Sequence, residues 1–246
     1  MRIIIAFAFF FSHLVMGTSQ DTTKVLFVGN SYTYFWNLPQ VVEAMATSRN
    51  IPLIARQSTQ GGVNLGHHFR GARNLKTDSI TLSRDWTHVI LQDHSLRAVD
   101  HKDSLQYYIE RLQKKNSTLG IKTILYMTWA RNYNPLMILK IGEGYKSVGS
   151  EIGIPVVPVG QIWDTALKLR PDLQLYDKDG SHPSPLGTYL TACSFFQYLT
   201  QTSPVGLPSR LMSRDKNGEK LYLIIVSPSD AAFCQEVVEQ FIKENK

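Results

Sequence analysis

"VLFVGNSYTYFWNLPQ", residues 25–40, runs from Val25 to Val28 without a polar residue, turns at Gly29-Asn30-Ser31, and passes through aromatics to Leu38, where apolar residues resume at helical spacing. An unbroken apolar run is what a strand buried on both faces requires. A strand that leaves through a small polar turn into a helix puts that turn at the carboxyl end of a parallel sheet, where open sheets collect ligands. Ser31 therefore has two readings. As an N-cap it would satisfy helix amides; as a nucleophile it would face a crevice beside unpaired N–H groups at the helix start.

The same alternation continues along the chain. Short apolar runs at 24–29, 52–58, 87–92, 122–129 and 155–160 are separated by amphipathic stretches near 38–49, 65–76, 102–118 and 136–152, with more near 161–169 and 185–200. Five such runs predict an α/β protein: a three-layer α/β/α, doubly wound, flavodoxin-like arrangement around a mostly parallel five-stranded sheet. "KLYLIIVS" (220–227) reads as a sixth edge strand or half of a hairpin. Pro228, with Ser227 or Ser229 as cap, opens a final helix.

With 246 residues, 43% hydrophobic and 19% charged, the chain suits one compact domain, read as residues 20–246. Residues 1–19 read as a signal peptide: Arg2, an apolar run from Ile3 to Val15, then small residues near Gly17 to Ser19. The run is shorter than the roughly 20 residues that span a bilayer, so secretion or export to the periplasm is expected, with no stable membrane insertion. The net charge of +6 is scattered, which argues against a nucleic-acid groove. Cys193 and Cys234 fit a disulfide or two buried thiols equally well. "NST" at Asn116 is a glycosylation sequon that matters in a eukaryotic source.

A nucleophilic serine needs a base, and the base needs an orienter. "YDKDGSHPSPLGTYL" (176–190) supplies both, because the three-residue spacing from Asp179 to His182 lets the carboxylate reach Nδ1–H and leaves Nε2 free. Pro183 and Pro185 restrict the chain beyond the histidine. "GNSYT" near the start together with "DGSHPSPLGTYL" near the end resembles the SGNH, or GDSL-type, serine hydrolase superfamily, over Lys24 to Gln201. The resemblance implies a Ser31-His182-Asp179 triad and an oxyanion hole from the N–H of Ser31, a glycine of "TQGGVNL" (Gly62, or Gly61 beside it) and an amide side chain after the third strand. Gln92 stands where that superfamily has asparagine, and Asn30 where it has aspartate. A branch of SGNH-like acyl esterases with "LQ" and a following polar residue looks similar.

The expected reaction is hydrolysis of a small acyl ester, chiefly acetyl on a carbohydrate, through an acyl-enzyme and without metal or other cofactor. Tyr32, Trp129 and Arg131 are the expected substrate contacts, the aromatics stacking on sugar and the arginine binding hydroxyls or a carboxylate. Phe35 and Trp36 have a second reading as staples of the first helix to the core. His67, His68, His94 and His101 lack metal-ligand spacing, "GEGYKS" (142–147) does not follow a strand, and no GxSxG elbow is present. The competing functions are a lipid esterase or thioesterase of the same chemistry, and a glycan-binding module without turnover.

Overall fold

The computed structural model describes residues 21–245, so the expected leader at 1–19 lies outside the described residues. Strand β1 (Thr23–Gly29) ends where the Asn30 side chain caps a short helix, α1 (Ser31–Tyr34). The chain then turns through Trp36 and Asn37, both at positive φ (49° and 57°), into α2 (Leu38–Ser48), which has Pro39 in its first turn. The alternation continues through β2 (Leu53–Thr59), α3 (Leu65–Arg70), α4 (Thr77–Leu82), β3 (His88–Leu91), α5 (Arg97–Asp100), α6 (Lys102–Thr118) and β4 (Lys122–Tyr126). It is completed by α7 (Met137–Ile152), β5 (Val156–Val157), α8 (Val159–Leu169) and α9 (Pro185–Thr200). An antiparallel pair, β6 (Arg210–Arg214) and β7 (Lys220–Ile225), precedes α10 (Pro228–Glu244).

The main sheet has five parallel strands in the order β2-β1-β3-β4-β5. Chain direction across the sheet reverses between β1 and β3, so the loops after these two strands diverge and open a crevice at their carboxyl ends. Alternate residues serve opposite faces. Val25 and Phe27 join a core with α2, α8, α9 and α10, whereas Leu26 and Val28 join a second core with α6 and α7. Phe27 meets the Phe195 ring edge-on at 5.2 Å, which ties the central strand to α9.

Several boundaries differ from the sequence expectation. The helix expected near 65–76 stops at Arg70, because Gly71 adopts the left-handed conformation (φ 61°) and caps α3. The run at 155–160 pairs only through Val156 and Val157, since Pro155 and Pro158 have no N–H to give a ladder. The run at 122–129 leaves the sheet at Tyr126. "KLYLIIVS" forms the hairpin rather than a sixth strand, paired with Arg210–Arg214 across a turn in which Asp215 Oδ1 accepts the Asn217 and Glu219 N–H groups. Ser227, not Ser229, caps α10, accepting the Asp230 N–H. Cys193 and Cys234 are both free and buried. Among the described residues no helix is long and apolar enough to cross a membrane.

Candidate active site

The turn after β1 is built tightly. A Cβ on Gly29 would run into the Gln92 amide oxygen and the Thr33 hydroxyl, so glycine is required by close approach. Asn30 Oδ1 accepts the Tyr32 N–H (3.1 Å), and Asn30 O accepts those of Thr33 and Tyr34 (2.9 and 3.2 Å). The Ser31 N–H is thereby left without a partner among the described residues, at a helix start, where such donors attract negative charge.

His182 reaches Ser31 from the far end of the chain. Asp179 Oδ1 accepts the Ser181 and His182 N–H groups, both at 2.9 Å, which closes the turn. Asp179 Oδ2 lies 2.5 Å from His182 Nδ1, and His182 Nε2 lies 2.8 Å from Ser31 Oγ. A carboxylate only accepts, so Nδ1 carries the proton and Nε2 accepts from the serine hydroxyl. Burial opposes the Asp179 charge, but the His182 hydrogen bond and the two backbone N–H groups outweigh it and hold its pKa down at about 2. The Phe35 ring stacks on the imidazole (4.4 Å, 15°), Tyr32 meets it edge-on (5.5 Å), and the Trp36 indole N–H donates to Pro183 O (3.0 Å). Phe35 and Trp36 are thus not core staples. They hold the histidine, and the Trp36 bond secures a backbone conformation that bulky residues seldom adopt.

Gln92 does not take the place expected of it. Its side chain is almost wholly buried, with Oε1 accepting the Asn30 N–H (2.8 Å) and the Thr33 hydroxyl (3.0 Å) and Nε2 donating to Asp93 O. An N–H can only donate, so the oxygen must face Asn30 and the amide hydrogens must face away. The expected oxyanion donor is corrected to a brace of the serine turn. Gly61 and Gly62 do line the cleft, with Gly62 at φ 67°. Asp93, which the sequence leaves unassigned, ties this region together: Oδ1 accepts the Leu65 N–H (3.0 Å) and the His94 N–H (2.7 Å).

Trp129 is also corrected. It is only 1% exposed, lies flat between Tyr32 (4.8 Å) and Trp163 (3.9 Å), and donates its indole N–H to Ser181 O (3.0 Å). It is the floor beneath the histidine turn, not a face for sugar. Tyr32 forms a wall, its hydroxyl 2.5 Å from Ser181 Oγ, and Arg131 lines the opening. Together Asn30, Ser31, Tyr34, Phe35, Gly61, Gly62, His94, Ser95, Arg131 and His182 surround a cleft of about 380 Å³, within the usual range for small-ligand sites. A larger depression of about 740 Å³ lies at the opposite, amino ends of β3 and β4 and contains none of these groups. His68 is committed elsewhere, to Gly29 O (2.9 Å) and Thr77 Oγ1 (2.7 Å). Among the described residues no group of three or more His, Cys, Asp or Glu gathers at metal-binding distance.

No family model and no curated relative matches the chain. Solved structures do. A DUF4886 family protein from Bacteroides uniformis superposes with a TM-score of 0.75 at 19% identity, over 92% of this chain and 96% of its own. A candidate SGNH hydrolase from Slackia heliotrinireducens does so with a TM-score of 0.59 at 19% identity, over 72% of this chain and 98% of its own. The fold is that of the SGNH hydrolases. An acetyl xylan esterase superposes with a TM-score of 0.57 at 15% identity, over 72% of this chain and 99% of its own.

Proposed function

We propose that the protein is a serine ester hydrolase that removes small acyl groups, chiefly acetyl, from carbohydrates. The observation that carries this reading is the continuous Ser31-His182-Asp179 chain, at 2.8 and 2.5 Å, opening into a cleft. Ser31 Oγ attacks the ester carbonyl as His182 Nε2 takes its proton, and Asp179 holds the tautomer and balances the imidazolium that forms. The Ser31 N–H and the Gly62 N–H stabilise the tetrahedral oxyanion. The imidazolium returns its proton to the leaving alcohol, and water then repeats the cycle on the acyl-enzyme. The carbohydrate follows from the expected secretion and from the acetyl xylan esterase among the structural neighbours. The modest volume of the cleft, about 380 Å³, favours short acyl chains over lipid.

An organophosphonate probe tests the reading by intact mass. One adduct on the wild type, absent in Ser31→Ala, is expected, together with faster turnover of 4-nitrophenyl acetate than of the octanoate. A folded wild type that takes no adduct would favour the non-catalytic glycan-binding module.

A further inference from the structure

Arg131 lines the cleft that holds Ser31 and His182, yet its guanidinium has no acidic partner among the described residues. One Nη donates to Ser95 Oγ and the other to Tyr133 Oη, both at 3.3 Å, beyond the usual hydrogen-bond range, and its buried Nε has no partner. Its neighbours differ. Arg97 stands 3.9 Å from Asp93, and Arg73 faces Gly61 O at 3.3 Å. Of the nearby carboxylates, Asp179 is held by His182 and two N–H groups, and Asp93 accepts two N–H groups at Oδ1 while its Oδ2 faces Arg97 rather than Arg131. Burial, then the charges of Arg97 and Arg131, lower the pKa of His94 and favour its neutral form. Among the described residues Arg131 is thus the lining's one permanent cation, and a partly buried cation without a counter-ion is unfavourable until an anion arrives.

We propose that Arg131 binds a carboxylate of the substrate, so that the preferred esters are those of acidic sugars. The proposal rests on the esterase reading and names its substrate class. A single planar guanidinium matches one carboxylate with two parallel hydrogen bonds, whereas a phosphate dianion would leave a charge uncompensated in this cleft. Arg131 sets specificity and takes no part in the proton transfers.

The test compares acetate release from O-acetylated glucuronic acid with that from O-acetylated glucuronamide, which differ in one charge. The acid is expected to exceed the amide by about 10- to 100-fold in kcat/KM. Added salt should shrink that ratio, and in Arg131→Gln it should fall to about one. Because a ratio is read, a general loss of rate in the variant does not imitate the result. If the variant fails to fold, the wild-type ratio and its salt dependence still decide. A wild-type ratio near one, a ratio that survives Arg131→Gln, or a preference for a sulfated over a carboxylated sugar would overturn the proposal. Turnover of 4-nitrophenyl acetate without acid preference would remove the anion site and leave the esterase. NMR titration of the Ser31→Ala protein with free glucuronate and glucuronamide reads the anion site without turnover. Tighter glucuronate binding there, with no ester turned over by the wild type, would remove the esterase and leave the anion site.

Discussion

Replacing Gln92 with leucine leaves the Asn30 N–H and the Thr33 hydroxyl buried without their acceptor, and the expected loss is roughly 1–3 kcal/mol, read from urea unfolding. Were Gln92 instead an oxyanion donor, stability would hold and kcat alone would fall by about 10²–10³. Asp179 gives a second prediction. Its folded pKa of about 2 lies below the ordinary 3.8, so its contribution to stability is present above about pH 4 and is lost as pH falls toward 2. Asp179→Asn should therefore be less stable than the wild type at pH 7 but equal to it near pH 2, and should lower kcat by about 10²–10⁴. That Asp179 and His182 would meet was legible from their three-residue spacing, and that Ser31 would join them from the resemblance carried by "GNSYT" and "DGSHPSPLGTYL". Gln92 and Trp129 were not. Which way an amide or an indole points depends on backbone groups brought up from distant segments, here Asn30 and Ser181.

His68 joins four elements, donating from Nε2 to Gly29 O at the end of β1 and accepting at Nδ1 from Thr77 of α4, whose hydroxyl meets Ser58 of β2. Burial keeps this α3 imidazole neutral and lowers its pKa to about 4. The unfolded chain protonates near 6.5, so the histidine's stabilisation is present above that pH and declines toward pH 4, with a slope of up to about 1.4 kcal/mol per pH unit. His68→Phe should lose roughly 1–3 kcal/mol at pH 7 and show a flatter stability profile between pH 7 and 5, by urea unfolding at each pH. The regular elements were legible where helix-spaced apolar residues ran long, as in α6 and α7, or where a Ser-Pro start opened a long apolar stretch, as in α9. The hairpin was legible only by half, "KLYLIIVS" reading as an edge strand or as half of a hairpin. Of its strands only Leu211 and Ile224 are buried, so β6 has little hydrophobic signature, and the "KNG" turn at 216–218 was the one local signal of it.

Both cores share the five-stranded sheet, and Leu211, Ile224, Cys234 and Val238 of the final segment pack into the same core as Val25 and Phe27. Unfolding is accordingly expected as one transition, with near- and far-ultraviolet circular dichroism curves coincident in urea. Phe195→Ala, which deletes a ring buried against Phe27 and Tyr126, should shift both curves together by about 3–5 kcal/mol. A separate early transition for the hairpin and α10 would count against a single domain. Layering of this kind could be inferred from pattern alone, because unbroken apolar strands separated by amphipathic helices require cover on both faces; the reversal that opens the crevice needs the strand order. Ser31 and His182 meet across a separation of 151 positions in sequence. A ribosome must therefore complete most of the polypeptide before His182 can reach Ser31, and until then the nascent chain carries a serine hydroxyl with no imidazole beside it.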